Sequence, residues 1–71
     1  MSFEFLSPIP GKIMKILVAV GDAVNEDDEV IKIESMKMEN PVYAPVSGTV
    51  KEIRVKEQDE VEADDILMLL E

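Results

Sequence analysis

Displaced by 37 positions, this 71-residue sequence falls on itself without a gap. Pro8 lands on Pro45, Gly11 on Gly48, Ile16 on Ile53, Val18 on Val55, Asp22 on Asp59, Val24 on Val61, Asp27-Asp28 on Asp64-Asp65 and Glu34 on Glu71. Apolar positions follow the same displacement: Phe5 with Val42, Ile9 with Val46, Ile13 with Val50, Val30 with Leu67 and Ile33 with Leu70. The copies run from Phe3 to Glu34 (3–34) and from Asn40 to Glu71 (40–71), and the residues between them (35–39) are Ser35-Met36-Lys37-Met38-Glu39. A unit this short cannot enclose a core of its own, so the two copies must pack on each other, and a pseudo-twofold axis is the expected relation. One domain, 1–71, is therefore expected. Lys37 marks the place that the repeat leaves unmatched.

Within each copy the pattern is β. Ile13, Ile16, Val18 and Val20, and their counterparts Val50, Ile53 and Val55, sit between Gly, Pro and Asp clusters and read as short strands. Val30 to Ile33 and Ile66 to Leu70 are apolar runs of strand length, the pattern of strands buried in a core, although their period alone does not exclude a helix. Turn residues recur at Ser7-Pro8-Ile9-Pro10-Gly11, Gly21-Asp22, Asp27-Asp28, Asn40-Pro41, Ser47-Gly48 and Asp64-Asp65. A spacing of about ten residues predicts an all-β sandwich or flattened barrel of about eight strands. No window combines a 3.6-residue apolar period with caps, so little or no helix is expected.

The inventory of side chains narrows the chemistry. There is no Cys and no His, which removes thiolate nucleophiles, disulfides and the commonest general base and metal ligand. At this length a chain buries only about 60% of the surface that its unfolded form exposes, so a deep private active site is not expected. Sixteen acidic residues against seven basic ones give a net charge of −9, which repels nucleic acid and anionic membrane alike. The N-terminus, Met1-Ser2-Phe3-Glu4-Phe5, has neither a basic segment nor an apolar run of signal-peptide length, and no uninterrupted apolar run is longer than the five residues of Ile66 to Leu70, far short of the roughly 20 residues that cross a bilayer. A non-catalytic, cytoplasmic chain is expected, without metal, nucleic acid or membrane as partner.

If Glu29 to Ser35 and Met38 to Tyr43 are adjacent strands, Met36 and Lys37 occupy a tight hairpin turn that projects the lysine from one end of the molecule. Turns favour Gly, Asn or Asp, yet this one carries methionines on both sides of its lysine, with Glu34 and Glu39 outside them. Neighbouring turn positions cannot all point inward, so at least one Met faces solvent or a ligand. Exposed methionines make flexible, polarisable contact surface.

Glu34-Ser35-Met36-Lys37-Met38-Glu39 resembles the attachment motif of the biotin carboxyl carrier domains, within the biotinyl/lipoyl attachment family. The likeness covers essentially the whole chain: the Pro-x-x-Gly opening at Pro8 to Gly11, Gly-Asp-x-Val at Gly21 to Val24, and Ser-Gly-x-Val at Ser47 to Val50. The resemblance implies a barrel-sandwich hybrid of two four-stranded sheets. It also implies biotin in amide linkage on Lys37, with Met36, Met38, Ser35, Glu34 and Glu39 forming the hairpin that a biotin protein ligase recognises. Such a carrier takes an activated carboxyl group from a biotin carboxylase to a carboxyltransferase, or to a decarboxylase site, and has no catalysis of its own. The related lipoyl domains of 2-oxo acid dehydrogenase complexes share the fold but usually place Asp before the lysine and Ala after it, and neither stands here. A lipoyl carrier and an unmodified interaction module are the alternatives.

Three departures from the family pattern bear on the backbone. Many members carry Gly where this chain has Asp27, Asp64 and Gln58. Asp tolerates the left-handed region better than most residues, so positive φ is expected at Asp27 and Asp64, while Gln58 is the least suited substitution. The acidic cluster Glu26-Asp27-Asp28-Glu29 lacks EF-hand spacing and recurs in part at Asp64-Asp65, so a turn role is expected for it.

Overall fold

Between the Gly, Pro and Asp clusters the chain runs as short strands, and the computed structural model describes residues 2–71, so that Met1 of the expected 1–71 domain lies outside the described residues. The strands are β1 (Phe3–Leu6), β2 (Gly11–Ile16), β3 (Ala23–Val24), β4 (Glu29–Ser35), β5 (Met38–Tyr43), β6 (Gly48–Ile53), β7 (Glu60–Val61) and β8 (Ile66–Leu70). No helix occurs among the described residues. Two four-stranded sheets form, in the orders β1-β8-β6-β3 and β5-β4-β2-β7, and every pairing is antiparallel. The expected all-β sandwich of two four-stranded sheets is borne out.

The repeat maps one sheet order onto the other, because β1, β2, β3 and β4 correspond to β5, β6, β7 and β8. Each sheet draws two strands from each copy. Backbone bonds outside the ladders come in matched pairs: Leu17 N–H donates to Val30 C=O and Arg54 N–H to Leu67 C=O, both at 2.9 Å. Asp27 N–H donates to Ala44 C=O while Asp64 N–H donates to Ser7 C=O, both at 2.8 Å. The first pair lies within each copy and the second crosses between them, so the halves depend on each other in hydrogen bonding as well as in core formation.

Consecutive buried residues in the apolar runs have a local cause. The β4–β5 register passes from Glu29↔Tyr43 to Ile31↔Val42, leaving Val30 as a bulge, and β1–β8 passes from Phe5↔Met68 to Leu6↔Ile66, leaving Leu67. A bulge inserts one residue and resets which side chains face inward. Val30 with Ile31, and Leu67 with Met68, are thereby all buried in one core with Ile13, Ile33, Val50 and Leu70. The strand reading of Val30 to Ile33 and Ile66 to Leu70 holds.

Two expectations are corrected. The valines Val18, Val20 and Val55 lie beyond strand ends at Ile16 and Ile53. From there the chain leaves one sheet to supply β3 or β7 to the other, so it must abandon its ladder; Val18 and Val55 lean on the core, whereas Val20 is exposed. Asn40-Pro41, expected at a turn, stands inside β5. Proline is tolerated there because β5 is an edge strand, where a missing N–H breaks no ladder.

Four tight turns share one construction. In Ala19–Asp22, Asn25–Asp28, Lys56–Asp59 and Glu62–Asp65 the fourth-residue N–H donates to the first C=O, and the aspartate Oδ2 accepts the first N–H at 2.8–3.0 Å. The third residue has positive φ in each: Gly21 at 96°, Asp27 at 74°, Gln58 at 80° and Asp64 at 72°. This is the type II geometry that Gly fits without strain. Positive φ at Asp27 and Asp64 is as expected, and the turn role of the Glu26-Asp27-Asp28-Glu29 cluster is carried by Asp28.

The hairpin and the chain termini lie at opposite ends. β6 begins at Gly48, where an added Cβ would stand 2.9 Å from the Glu71 carbonyl oxygen. Its continuation reaches Glu60, which pairs with Lys12, itself opposite Glu34 next to the turn. Phe3 and Leu70 pair at the far end, and the long axis measures 33 Å.

Candidate functional site

The β4–β5 hairpin carries the residues singled out in the sequence, with the strand limits expected for it. Its ladder runs from Glu29↔Tyr43 to Ser35↔Met38 and leaves two residues, Met36 and Lys37, in the turn. Their φ values are 55° and 63°. Two successive positive φ values mark the type I′ hairpin turn, whose twist matches the flanking strands and whose ordinary occupants are Asn and Gly. Met and Lys are poor residues for it. The conformation persists because the strands beneath fix it: Ile31, Ile33 and Val42 are buried in the core.

Two further groups support the base of the turn. Asn40 Nδ2 donates to the Met38 carbonyl at 3.1 Å and to the Ile33 carbonyl at 3.4 Å, tying one strand to the other just below the lysine. Gly11 lies against β4, where a Cβ would collide with the Glu34 carbonyl and the Ile33 side chain. The sequence marks Gly11 through its repeat partner Gly48. Asn40 carried no such signal, because the 37-residue displacement sets it on Phe3, a residue of another type.

At the tip, Met36 is 92% exposed and Met38 66% exposed. The expectation of at least one solvent-facing Met is exceeded, since both face outward. Lys37 is exposed as well. Among the described residues, ion pairs join Lys32 to Glu29 and Arg54 to Glu52, and Lys37 enters neither. Its amine is held away from the body by a rigid turn, with apolar thioether groups on either side.

Glu34 and Glu39 face each other across the ladder. Like charges directly opposite destabilise a strand pair, so this placement does nothing for the fold. Beside the turn a shallow hollow of about 420 Å³ is lined by Lys12, Glu34, Ser35, Met36, Glu60 and Glu62 among others. Ser35, Met36, Lys37, Met38, Glu34 and Glu39 thus converge on one end of the molecule. The arrangement offers an exposed amine, apolar flanks and an acidic surround, with no ion-pair partner on the amine among the described residues.

Comparison with known proteins agrees with this geometry. A family model described as biotin-requiring enzyme matches residues 4–70. The chain is 45% identical over 60 residues to the biotin/lipoyl attachment protein of Bacillus subtilis, covering 84% of this chain and 82% of that protein. It is 44% identical over 64 residues to the biotin carboxyl carrier protein of Streptococcus mutans, covering 90% of this chain and 49% of that protein. The solved urea carboxylase of Kluyveromyces lactis superposes with a TM-score of 0.89 at 40% identity, covering 99% of this chain and 6% of that one. The chain thus spans about half the length of the Streptococcus relative and a small fraction of the carboxylase.

Proposed function

Because the chain belongs to the biotin-requiring enzyme family, we propose that it is a carrier domain of a biotin-dependent carboxylase, with biotin joined to Lys37. The observation that carries the reading is the type I′ turn presenting Lys37 between two exposed methionines at the end of the molecule away from the termini. The residues fit the group: the amine is accessible and unpaired among the described residues, and nothing overhangs it that an amide-linked arm would displace.

For attachment, the biotin protein ligase would use ATP to join the biotin carboxylate to AMP as a mixed anhydride; the Lys37 amine attacks its carboxyl carbon, the C–N bond forms, the bond from that carbon to the phosphate oxygen breaks, and AMP leaves. An ammonium has no lone pair, so the biotin protein ligase must take a proton from Nζ before attack. The rigid turn fixes where the ligase finds that nitrogen. Met36 and Met38 supply apolar surface beside it, and Glu34 and Glu39 provide negative charge that a basic ligase surface would meet. Lys12, Lys15, Lys32, Lys51 and Lys56 lie on or beside strands with no such flanks and stay unmodified.

When bound, biotin supplies a ureido nitrogen that accepts a carboxyl group and gives it up. Biotin carboxylase and carboxyltransferase sites belong to other domains or chains, and the cytoplasm is the compartment in which this carrier meets them. The tether confines the group near both sites, at an effective concentration of about the millimolar order.

Incubation with a biotin protein ligase, ATP and biotin should add one biotinyl group and make the protein streptavidin-reactive. Lys37→Ala should abolish labelling, and labelling that survives this change removes the site assignment. A parallel reaction with lipoate and a lipoate ligase separates the two cofactors: efficient lipoylation without biotinylation overturns the choice of biotin.

A further inference from the structure

The methionines among the described residues divide sharply by environment. Met68 is fully buried in the core and Met14 is half-buried at a bulge of β2, whereas Met36 and Met38 stand in solvent on either side of Lys37. A thioether reacts with peroxide in proportion to its access, and the product is a polar sulfoxide in place of an apolar contact group. The turn makes this exposure obligatory. Met36 has positive φ inside a two-residue loop and Met38 closes the last rung opposite Ser35 at the end of the ladder, and both side chains stand largely in solvent, Met36 at the edge of the shallow hollow beside the turn.

We infer that Met36 and Met38 are a reversible oxidation site that controls loading of Lys37. The step balances without a further reactant: the sulfur lone pair attacks one oxygen of hydrogen peroxide, the O–O bond breaks, an S=O bond forms, and the other oxygen leaves as water with both peroxide protons. Sulfur loses two electrons and peroxide gains them. A methionine sulfoxide reductase reverses the change. The inference rests on the reading of Lys37 as the attachment residue. Sulfoxide oxygens on both sides of the amine must be desolvated when the ligase closes over the hairpin, and an unpaired buried dipole opposes that closure. Loss of the apolar contact of even one Met corresponds to about a tenfold fall in ligase kcat/KM.

The test treats the intact protein with graded hydrogen peroxide, quenches, maps oxygen addition by peptide mass spectrometry, and then measures labelling by ligase, ATP and biotin. Met36 and Met38 should gain oxygen well before Met68, and labelling should fall by about tenfold or more in step with them. Incubation with methionine sulfoxide reductases of both stereospecificities should restore it. The variant Met36→Leu/Met38→Leu keeps Met1, Met14 and Met68; whatever its starting rate, its treated-to-untreated ratio should stay at one. Oxidation of Met68 as fast as Met36, an unchanged rate after oxidation, or a peroxide-sensitive rate in the double variant overturns the inference and leaves attachment standing. Absence of labelling in untreated protein overturns the attachment reading itself, and the control by oxidation with it.

Discussion

Replacing Met36 by Asn and Lys37 by Gly should make the domain more stable while ending the attachment proposed for Lys37. The two residues sit at φ 55° and 63°, and the left-handed conformation costs an L-residue roughly 1–2 kcal/mol. Asn recovers much of that at the first position. Gly recovers all of it at the second but returns about 0.5–1 kcal/mol through the greater freedom of the unfolded chain. No core contact is lost, because Met36 is 92% exposed and the lysine is exposed too. The net expectation is a gain of about 1.5–2 kcal/mol. In a domain of this size each kcal/mol moves Tm by about 4–8 °C, so a rise of about 6–16 °C follows. Urea unfolding followed by far-ultraviolet circular dichroism should show the midpoint moving up with an unchanged slope. A double variant that keeps the Ser35↔Met38 register by nuclear magnetic resonance, yet is no more stable than the parent, would refute the claim that the turn is strained.

The same logic separates the matched turns of the two copies. Gln58→Gly should raise stability by about 0.5–1 kcal/mol and Gly21→Ala should lower it by about 1 kcal/mol, because both positions need positive φ and only one holds Gly; denaturant midpoints that move the other way count against it. Met68→Ala, at a fully buried core position, should cost about 2–5 kcal/mol. Against a total of about 5 kcal/mol for a small domain, this leaves a measurable unfolded fraction without denaturant; a loss well under 1 kcal/mol would mean that the core closes over the gap.

Much of this architecture is legible in the 37-residue displacement. Gly11 with Gly48 and Asp27 with Asp64 fix equivalent backbone positions, so the two sheet orders must map onto each other. The β4–β5 limits follow because the unmatched five residues have to turn. What the linear pattern hides is non-local. Val18, Val20 and Val55 carry the residue type of strands, but the chain there is changing sheets, and residue type says nothing about which ladder is being left. Asn40-Pro41 reads as punctuation until β5 is known to be an edge. The two hydrogen bonds from the Asn40 amide depend on carbonyls, those of Ile33 and Met38, that meet only once the hairpin has closed.

With Lys37 as the proposed attachment residue, its placement opposite the paired ends of β1 and β8 would make the domain a spacer as well as a holder. Anything covalently joined at Ser2 or Glu71 leaves from the end where Phe3 meets Leu70. The lysine stands at the other end of a body 33 Å long. An arm fixed to Lys37 therefore begins its reach with that body already between it and whatever anchors the chain. Swivelling at the anchored end sweeps the arm through a far wider arc than its own bonds allow. The stiffness of the interlocked sheets thus sets the radius, and a looser fold of the same mass would shorten it.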